Sequence, residues 1–326
     1  MNRQFLLCII ITCLAACALA QQRRSLRIVS WNVENLFDTI DDAGFRDEEF
    51  LPEGERRWSG ARYSRKLNDV ARVVAAMSDS CGVPDLIGLC EVENDSVLTR
   101  LTTRSPLRHF GYDYVITHSS DARGIDVALL FQPSRFRLLE QNIINVRAQG
   151  TQTRTTRDIL YVKGLVSTNH GADTLHVIVV HLPSKTGGRA GDKLRRQAAT
   201  TLWDVADSIM RNVRYEAAAG SQPRIVVIGD FNATARDRIF RRCPLLIADD
   251  PAAAGTYCYR GFWQWIDHAL HSTSVHPFTP ARPFALPWLL EDNSTYGGQM
   301  PRRTFRGTFY HGGVSDHLPV VFDICL

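Results

Sequence analysis

Six short motifs in this sequence place an acid, an amide or a histidine directly beside an apolar run. Ser30-Trp31-Asn32-Val33-Glu34 follows Leu26–Ile28, Gly88-Leu89-Cys90-Glu91 follows Asp85–Ile87, and His181 follows Leu175–Val180. Gly229-Asp230-Phe231-Asn232 follows Ile225–Ile228, Asp267 lies within Trp265–Leu270, and Asp316-His317 precedes Leu318–Ile324. A single carboxylate after a strand is usually a turn residue or a helix cap. The recurrence suggests instead that these groups gather on one rim of a sheet. Their chemistry suits phosphate-ester hydrolysis. A hard divalent cation takes a few oxygen ligands, and Glu91, Asp316 and Asn32 or Glu34 can supply them. A carboxylate or histidine must orient and deprotonate a water. Donors such as Asn232, His181 and His317 can hold phosphate oxygens as charge develops. Neither a Gly-x-x-x-x-Gly-Lys-Ser/Thr loop nor a Gly-x-Ser-x-Gly elbow occurs, which disfavours a P-loop NTPase and a serine hydrolase.

The elements that must carry these groups read as strands alternating with helices. Continuous apolar runs at Leu26–Trp31, Asp85–Cys90, Val127–Phe131, Ile159–Val166, Leu175–Val180, Ile225–Ile228, Trp265–Leu270 and Leu318–Ile324 predict buried strands. Apolar residues at spacings of three and four predict helices over Ala61–Met77 and Asp192–Val213. The total fits two sheets packed face to face with helices outside. Pro277–Pro287 holds four prolines and reads as a surface loop.

The motifs and their order resemble the endonuclease/exonuclease/phosphatase superfamily, DNase I-like proteins that include exonuclease III-like repair enzymes, neutral sphingomyelinases and inositol-polyphosphate phosphatases. Val180-His181-Leu182-Pro183, Ile266-Asp267 and Ser315-Asp316-His317-Leu318-Pro319 complete the matching set, which covers nearly all of 21–326. The resemblance implies a four-layer α/β/β/α sandwich with its site at one end of the paired sheets. It implies Mg²⁺, with Mn²⁺ as an alternative. It makes Glu91 the main metal ligand, with Asn32, Glu34 and Asp316 beside it. Asp230 would act on the attacking water and Asn232 on the phosphate. His317 would contact the phosphate with Asp267 behind it, and His181 would serve the leaving-group side. Arg157 lies where a phosphate-contacting Arg lies in DNase I-like members. Arg123 and Asp126 read instead as a structural pair at a strand start. Glu93 stands where DNase I-like nucleases carry a basic group. Nucleic acid is the first substrate expected. Lipid or sugar phosphate is the alternative, and a non-catalytic binding module of the same fold is a more distant one.

The remaining features frame this site. The chain has 326 residues, 44% hydrophobic and 22% charged, with net charge +4 and pI about 8.7. Such a mildly basic balance suits an anionic substrate but selects none. Arg3, an apolar run over Phe5–Ala16 and Ala18-Leu19-Ala20 read as a signal peptide over 1–20. The protein is therefore expected to be secreted or periplasmic, without a stable membrane span. A lipoprotein anchored at Cys17 is the alternative. Five cysteines follow the leader, and Cys243 and Cys258 could pair in an oxidising compartment. Lys185, Arg189, Lys193, Arg195 and Arg196 form a basic stretch after His181. Trp58, Trp263, Trp265 and Trp288 could rim a pocket or pack. The inserts Thr39–Gly60 and His276–Arg303 would shape the cleft.

Overall fold

A computed structural model describes residues 25–79, 82–146, 156–168, 171–216, 222–277 and 279–325. The leader, Cys17 and Cys81 lie outside this set. Among the described residues, no helix is long and apolar enough to cross a membrane.

The strands, in chain order, are β1 (Ser25–Leu36), β2 (Leu86–Val92), β3 (Asp113–Ile116), β4 (Asp126–Phe131), β5 (Arg137–Ile144), β6 (Ile159–Thr168), β7 (Gly171–His181), β8 (Arg224–Asp230) and β9 (Leu246–Ile247). A hairpin of β10 (Tyr257–Tyr259) and β11 (Phe262–Gln264) precedes β12 (Asp267–His271). Short β13 (His276–Pro277) and β14 (Arg282–Pro283) follow, then the hairpins β15 (Leu290–Asp292) with β16 (Gln299–Pro301) and β17 (Phe305–Arg306) with β18 (Phe309–Tyr310), and finally β19 (Val320–Cys325). The helices are α1 (Gly60–Ala76), α2 (Asp95–Arg104) and α3 (Gly188–Glu216).

One sheet runs β13-β19-β1-β2-β4-β3, with β14 also on β19. The other runs β5-β6-β7-β8-β12-β9. Side chains alternate across a strand, so each central strand serves two cores. In β1, Ile28 joins the core between the sheets while Val29 and Trp31 face α1 and α2. In β7, Val177 and Val179 face the other sheet while Ile178 and Val180 meet Leu202, Trp203 and Ala206 of α3. Burial on both faces explains why these strands read as continuous apolar runs. The result is the four-layer α/β/β/α sandwich.

Gly88 sits where the two sheets approach closely. A Cβ there would stand 2.5 Å from Ile228 Cδ1. Cys90 Sγ donates across the same gap to Val180 O at 3.3 Å.

Several expectations change. The helix α2 and the strands β3 and β5 were not legible. In β5, Arg137–Asn142 are exposed at a sheet edge, so no apolar run marks it. The proline-rich stretch is not simply a surface loop, because His276–Pro277 and Arg282–Pro283 pair with β19. Pro suits a sheet edge, where its missing N–H is tolerated. Cys243 and Cys258 are both free thiols, and Cys243 Sγ donates to Leu245 O at 3.4 Å instead. Trp58 is buried with Nε1 donating to Phe37 O, and Trp263, Trp265 and Trp288 pack against the cores. None of the four lines the cleft described below.

Candidate active site

The parallel pair β1–β2 delivers Asn32 and Glu91 to one end of the sandwich. In the facing sheet, β7, β8 and β12 place His181, Asp230 and Asp267 in one cross-strand row. The loop before β19 adds Asp316 and His317. All but Asp267 line a single cleft of about 750 Å³, together with Asn232, Arg157, Arg123, Thr156, Lys185, Tyr257, Tyr259 and Gln264.

Irregular stretches beside the cleft, where β1 and β2 shift register and just after β8, hold the backbone in a costly shape. Glu34, Asn35, Glu91 and Asn232 all have φ between 50° and 63°. A left-handed residue other than Gly costs roughly 1–3 kcal/mol and persists only where its surroundings enforce it. Here hydrogen bonds do so. Asn35 N donates to Glu91 Oε2 at 2.9 Å, and Asn232 N donates to Asp230 Oδ1 at 2.8 Å. Gly229 has φ 144°, and any Cβ there would fall 1.9 Å from Val180 O, so Asp230 can approach β7 only behind a glycine.

Asp230 lies at the centre. Its Oδ2 accepts from Asn32 Nδ2 at 3.1 Å and from Asn232 Nδ2 at 3.3 Å. Burial, then the nearby Asp267 charge, push its pKa up. His317 Nδ1 is 2.8 Å from Asp267 Oδ2, and its Nε2 is 3.9 Å from Asp230 Oδ2. Burial opposes a charge on His317, but Asp267 and then Asp230 overcome it and hold the imidazole pKa well above its usual value. Trp31 Nε1 donates to His317 O at 3.1 Å, and the Tyr257 ring packs on the imidazole at 4.8 Å. His181 goes the other way. Burial, then Arg157 and Arg123, push its pKa well down, so the ring is neutral. Its Nε2 is 3.5 Å from Asp230 Oδ2 and 3.9 Å from Glu91 Oε1.

Glu34 and Asp316 have another neighbour. Arg303 Nη2 reaches Asp316 Oδ2 at 2.6 Å, and Arg303 Nε lies 3.5 Å from Glu34 Oε1. Thr304 N donates to Glu34 Oε2 at 2.6 Å. Glu34 is buried and does not line the cleft, whereas Asp316 does. Burial, then Asp316, push the Glu34 pKa up.

Arg157 is 7% exposed rather than a surface residue. It lines the cleft while donating to Asp121 Oδ2 and Leu182 O. The expected Arg123–Asp126 pair does not form. Asp126 accepts from Thr117 and Ser119, and Arg123 lies 3.6 Å from Asp121. The basic stretch after His181 enters α3, and of its five cations only Lys185 lines the cleft. Arg195 is buried and donates to Pro183 O. Glu93 is buried as well. Its Oε2 accepts from Asp38 N, and burial first, with Asp38 beside it, pushes its pKa up to about 9.

Two carboxylate sets could receive a cation. Asp230, Asp267 and His317 offer ligand atoms within 4.8 Å of one another. Yet His317 Nδ1 is committed to Asp267, and Asp230 is committed to two amides. Glu91 is freer. Its nearest ionisable side-chain partner among the described residues is His181 at 3.9 Å, which is neutral. With Asn32 and Asp316 lining the same cleft, it gives the oxygen-rich donor set that a hard divalent ion prefers. The residues therefore fit such an ion.

Residues 27–325 match the Endonuclease/Exonuclease/phosphatase family. The chain belongs to this family. Its members are divalent-metal-dependent hydrolases of phosphoesters. No curated protein matches the chain. Among solved structures, a mannosyl-6-phosphatase of Bacteroides thetaiotaomicron VPI-5482 is similar at TM-score 0.58 and 14% identity, covering 92% of this chain and 100% of that one. A family protein from Bacteroides thetaiotaomicron is similar at TM-score 0.56 and 14% identity, over 92% and 94% of the chains. The human nocturnin catalytic domain is similar at 0.54 and 17%, over 93% and 94%. At these identities the likeness is one of fold.

Lys66, Arg303, Thr256, Tyr257 and Tyr259 were not legible as site residues in the sequence. Lys66 had a signal, since it is a charge on the apolar stripe of α1 between Tyr63 and Leu67. Thr256 donates to Asp267 Oδ2, a contact that only the tertiary fold creates.

Proposed function

We propose that this family member is a secreted, Mg²⁺- or Mn²⁺-dependent phosphoesterase that cleaves phosphodiester bonds, with nucleic acid as its first substrate class. The observation that carries this reading is the convergence of Glu91, Asp230 and the His317–Asp267 pair on one cleft. Glu91, with Asn32 and Asp316 beside it, would hold the metal. When bound, the ion supplies charge neutralisation at the phosphate and the leaving oxygen.

The chain's own groups do the rest. Asp230 takes the proton of the attacking water on its carboxylate, whose Oδ2 is held by two amides. Its raised pKa keeps that carboxylate basic enough for the transfer. Asn32 and Asn232 fix the oxygen's position. His317 stays cationic and donates from Nε2 to a non-bridging oxygen, where a preformed charge needs no rearrangement as the transition state develops. Asp267 orients that ring through Nδ1. His181, held neutral, serves the leaving-group side as a hydrogen-bonding imidazole. Arg157 and Lys185 give the anionic substrate a basic wall.

Sugar phosphate is the second reading. It is favoured by Tyr257, Tyr259 and Gln264, which give the cleft an aromatic and amide wall. The test is to assay the purified mature chain, with Mg²⁺ or Mn²⁺, on bis(p-nitrophenyl) phosphate, plasmid DNA, RNA, mannose 6-phosphate and sphingomyelin. Turnover on none of them removes the enzyme reading. Turnover on the sugar phosphate alone replaces the nucleic acid with the second reading.

A further inference from the structure

Lys66 is 2% exposed on the buried face of α1, among Tyr63, Leu67 and Val70. A buried ammonium is retained only if its donors find acceptors. They do, in an unexpected place. Nζ donates to the backbone carbonyl of Glu34 at 2.6 Å and to Thr304 Oγ1 at 2.5 Å. The Glu34 carboxylate is taken by Thr304 N and faces Arg303. Charge neutralisation of Glu34 would have placed the ammonium on the carboxylate.

The carbonyl that Lys66 holds belongs to the peptide unit whose N–H is Asn35 N, the donor to Glu91 Oε2 at 2.9 Å. One peptide group thus has the ammonium at its oxygen and the Glu91 carboxylate at its nitrogen. Its flanking residues, Glu34 and Asn35, are both left-handed, with φ 52° and 50°. Neither is glycine, so the unit relaxes unless it is held at both ends. A cation on the carbonyl also polarises the amide and strengthens the hydrogen bond its N–H makes.

We propose that Lys66 is a positioning residue for Glu91, holding the Glu34–Asn35 peptide so that the carboxylate is presented to a divalent ion. The inference rests on the metal-dependent reading above. Lys66 lies outside the cleft wall and touches no substrate. Its loss is expected to act on metal affinity through the peptide that holds Glu91.

The test uses the mature chain and Mn²⁺ alone as probe, with binding measured by calorimetry or electron paramagnetic resonance. Lys66→Met, checked for fold by circular dichroism, is expected to weaken Mn²⁺ binding by about 10–100-fold, the range for residues that orient a ligand. Raising Mn²⁺ to saturation is expected to return its turnover of bis(p-nitrophenyl) phosphate to within about threefold of wild type, a recovery that a damaged fold would not give. Unchanged Mn²⁺ affinity in Lys66→Met overturns the proposal. So does turnover that stays low at every metal concentration. Glu91→Gln is the second arm. If it binds Mn²⁺ as wild type does, the metal assignment itself is wrong. If it loses Mn²⁺ while Lys66→Met does not, only the role of Lys66 falls. Should Lys66→Met fail to fold, Thr304→Val removes one of the two acceptors and leaves the ammonium in place. A several-fold loss of Mn²⁺ affinity then supports the proposal, and wild-type affinity overturns it.

Discussion

Two groups of wholly or partly buried charges stand at the same end of the sandwich. On the cleft side, Asp230, Asp267 and His317 come from β8, β12 and the loop before β19. Behind it, Glu34, Lys66 and Arg303 come from β1, α1 and the second insert, and meet Asp316. Burial is the first influence on every pKa that shifts in either group. They differ in where their hydrogen bonds end. Behind the cleft, the charged groups are bonded to one another and to Thr304. On the cleft side, His317 Nε2 makes no hydrogen bond among the described residues; it lies 3.9 Å from Asp230 Oδ2, which two amides already hold, and both residues line open space. A buried charge is available for chemistry only where such an atom is left over. Where charged groups are tied to one another away from the cleft, they build the scaffold.

The comparison breaks most sharply at Glu91, which lies between the two groups. Glu91→Gln is expected to reduce metal-dependent turnover of bis(p-nitrophenyl) phosphate to background while leaving the thermal transition in place. Turnover near wild type would move the reaction to the other carboxylate set. Next, Asp230→Asn should lower kcat by about 10²–10⁴-fold, the span of acid–base catalysis. Its KM should change little.

Asp267→Asn sharpens the contrast through pH. Turnover needs Asp230 unprotonated and His317 protonated. It therefore rises with pH above the ordinary aspartate range and falls only above the ordinary imidazole range. Asp267 raises both pKa values, so Asp267→Asn should move both limbs to lower pH. A pH–rate profile with unmoved limbs would contradict the pairing.

On the scaffold side, Arg303→Met should lower stability in urea denaturation by less than the roughly 3–5 kcal/mol of a fully buried broken pair, because the side chain is 39% exposed. Little or no loss would mean that this cluster is not scaffold.

The smallest effect is at Glu93. Its folded pKa is raised from 4.5 to about 9. Any stability it contributes is therefore complete below 4.5 and is lost as pH climbs through 9. Glu93→Gln keeps an acceptor for Asp38 N but does not ionise. Its melting temperature should match wild type near pH 5 and exceed it by a few degrees near pH 10. Identical pH dependence in both proteins would rule out this ionisation.

Much of the fold was legible because its central strands are buried on both faces. Ile178, Val179 and Val180 could be read as strand without knowing which face each served. The edge strand β5 was not legible, since Arg137–Asn142 are exposed and have no core to pattern them. The helix α2 is only 10 residues long, and its buried set, Val97, Leu98, Leu101 and Thr102, makes a brief stripe among polar residues. Its cap, Asn94 accepting from Val97 N, was the available signal.

At the site, local sequence determined which residues stand at strand ends, and so which ones could meet. Asn32, Glu91, His181, Asp230 and Asp267 each follow from a strand of predictable extent. What each carboxylate does was decided by residues far along the chain. Thr304, 270 positions from Glu34, takes one of its oxygens, and Asn32, 198 positions from Asp230, holds the other acid beside the cleft. An aspartate or glutamate carries the same charge wherever it is written. Its burial and the direction of its last free lone pair arise only when distant strands and inserts close around it.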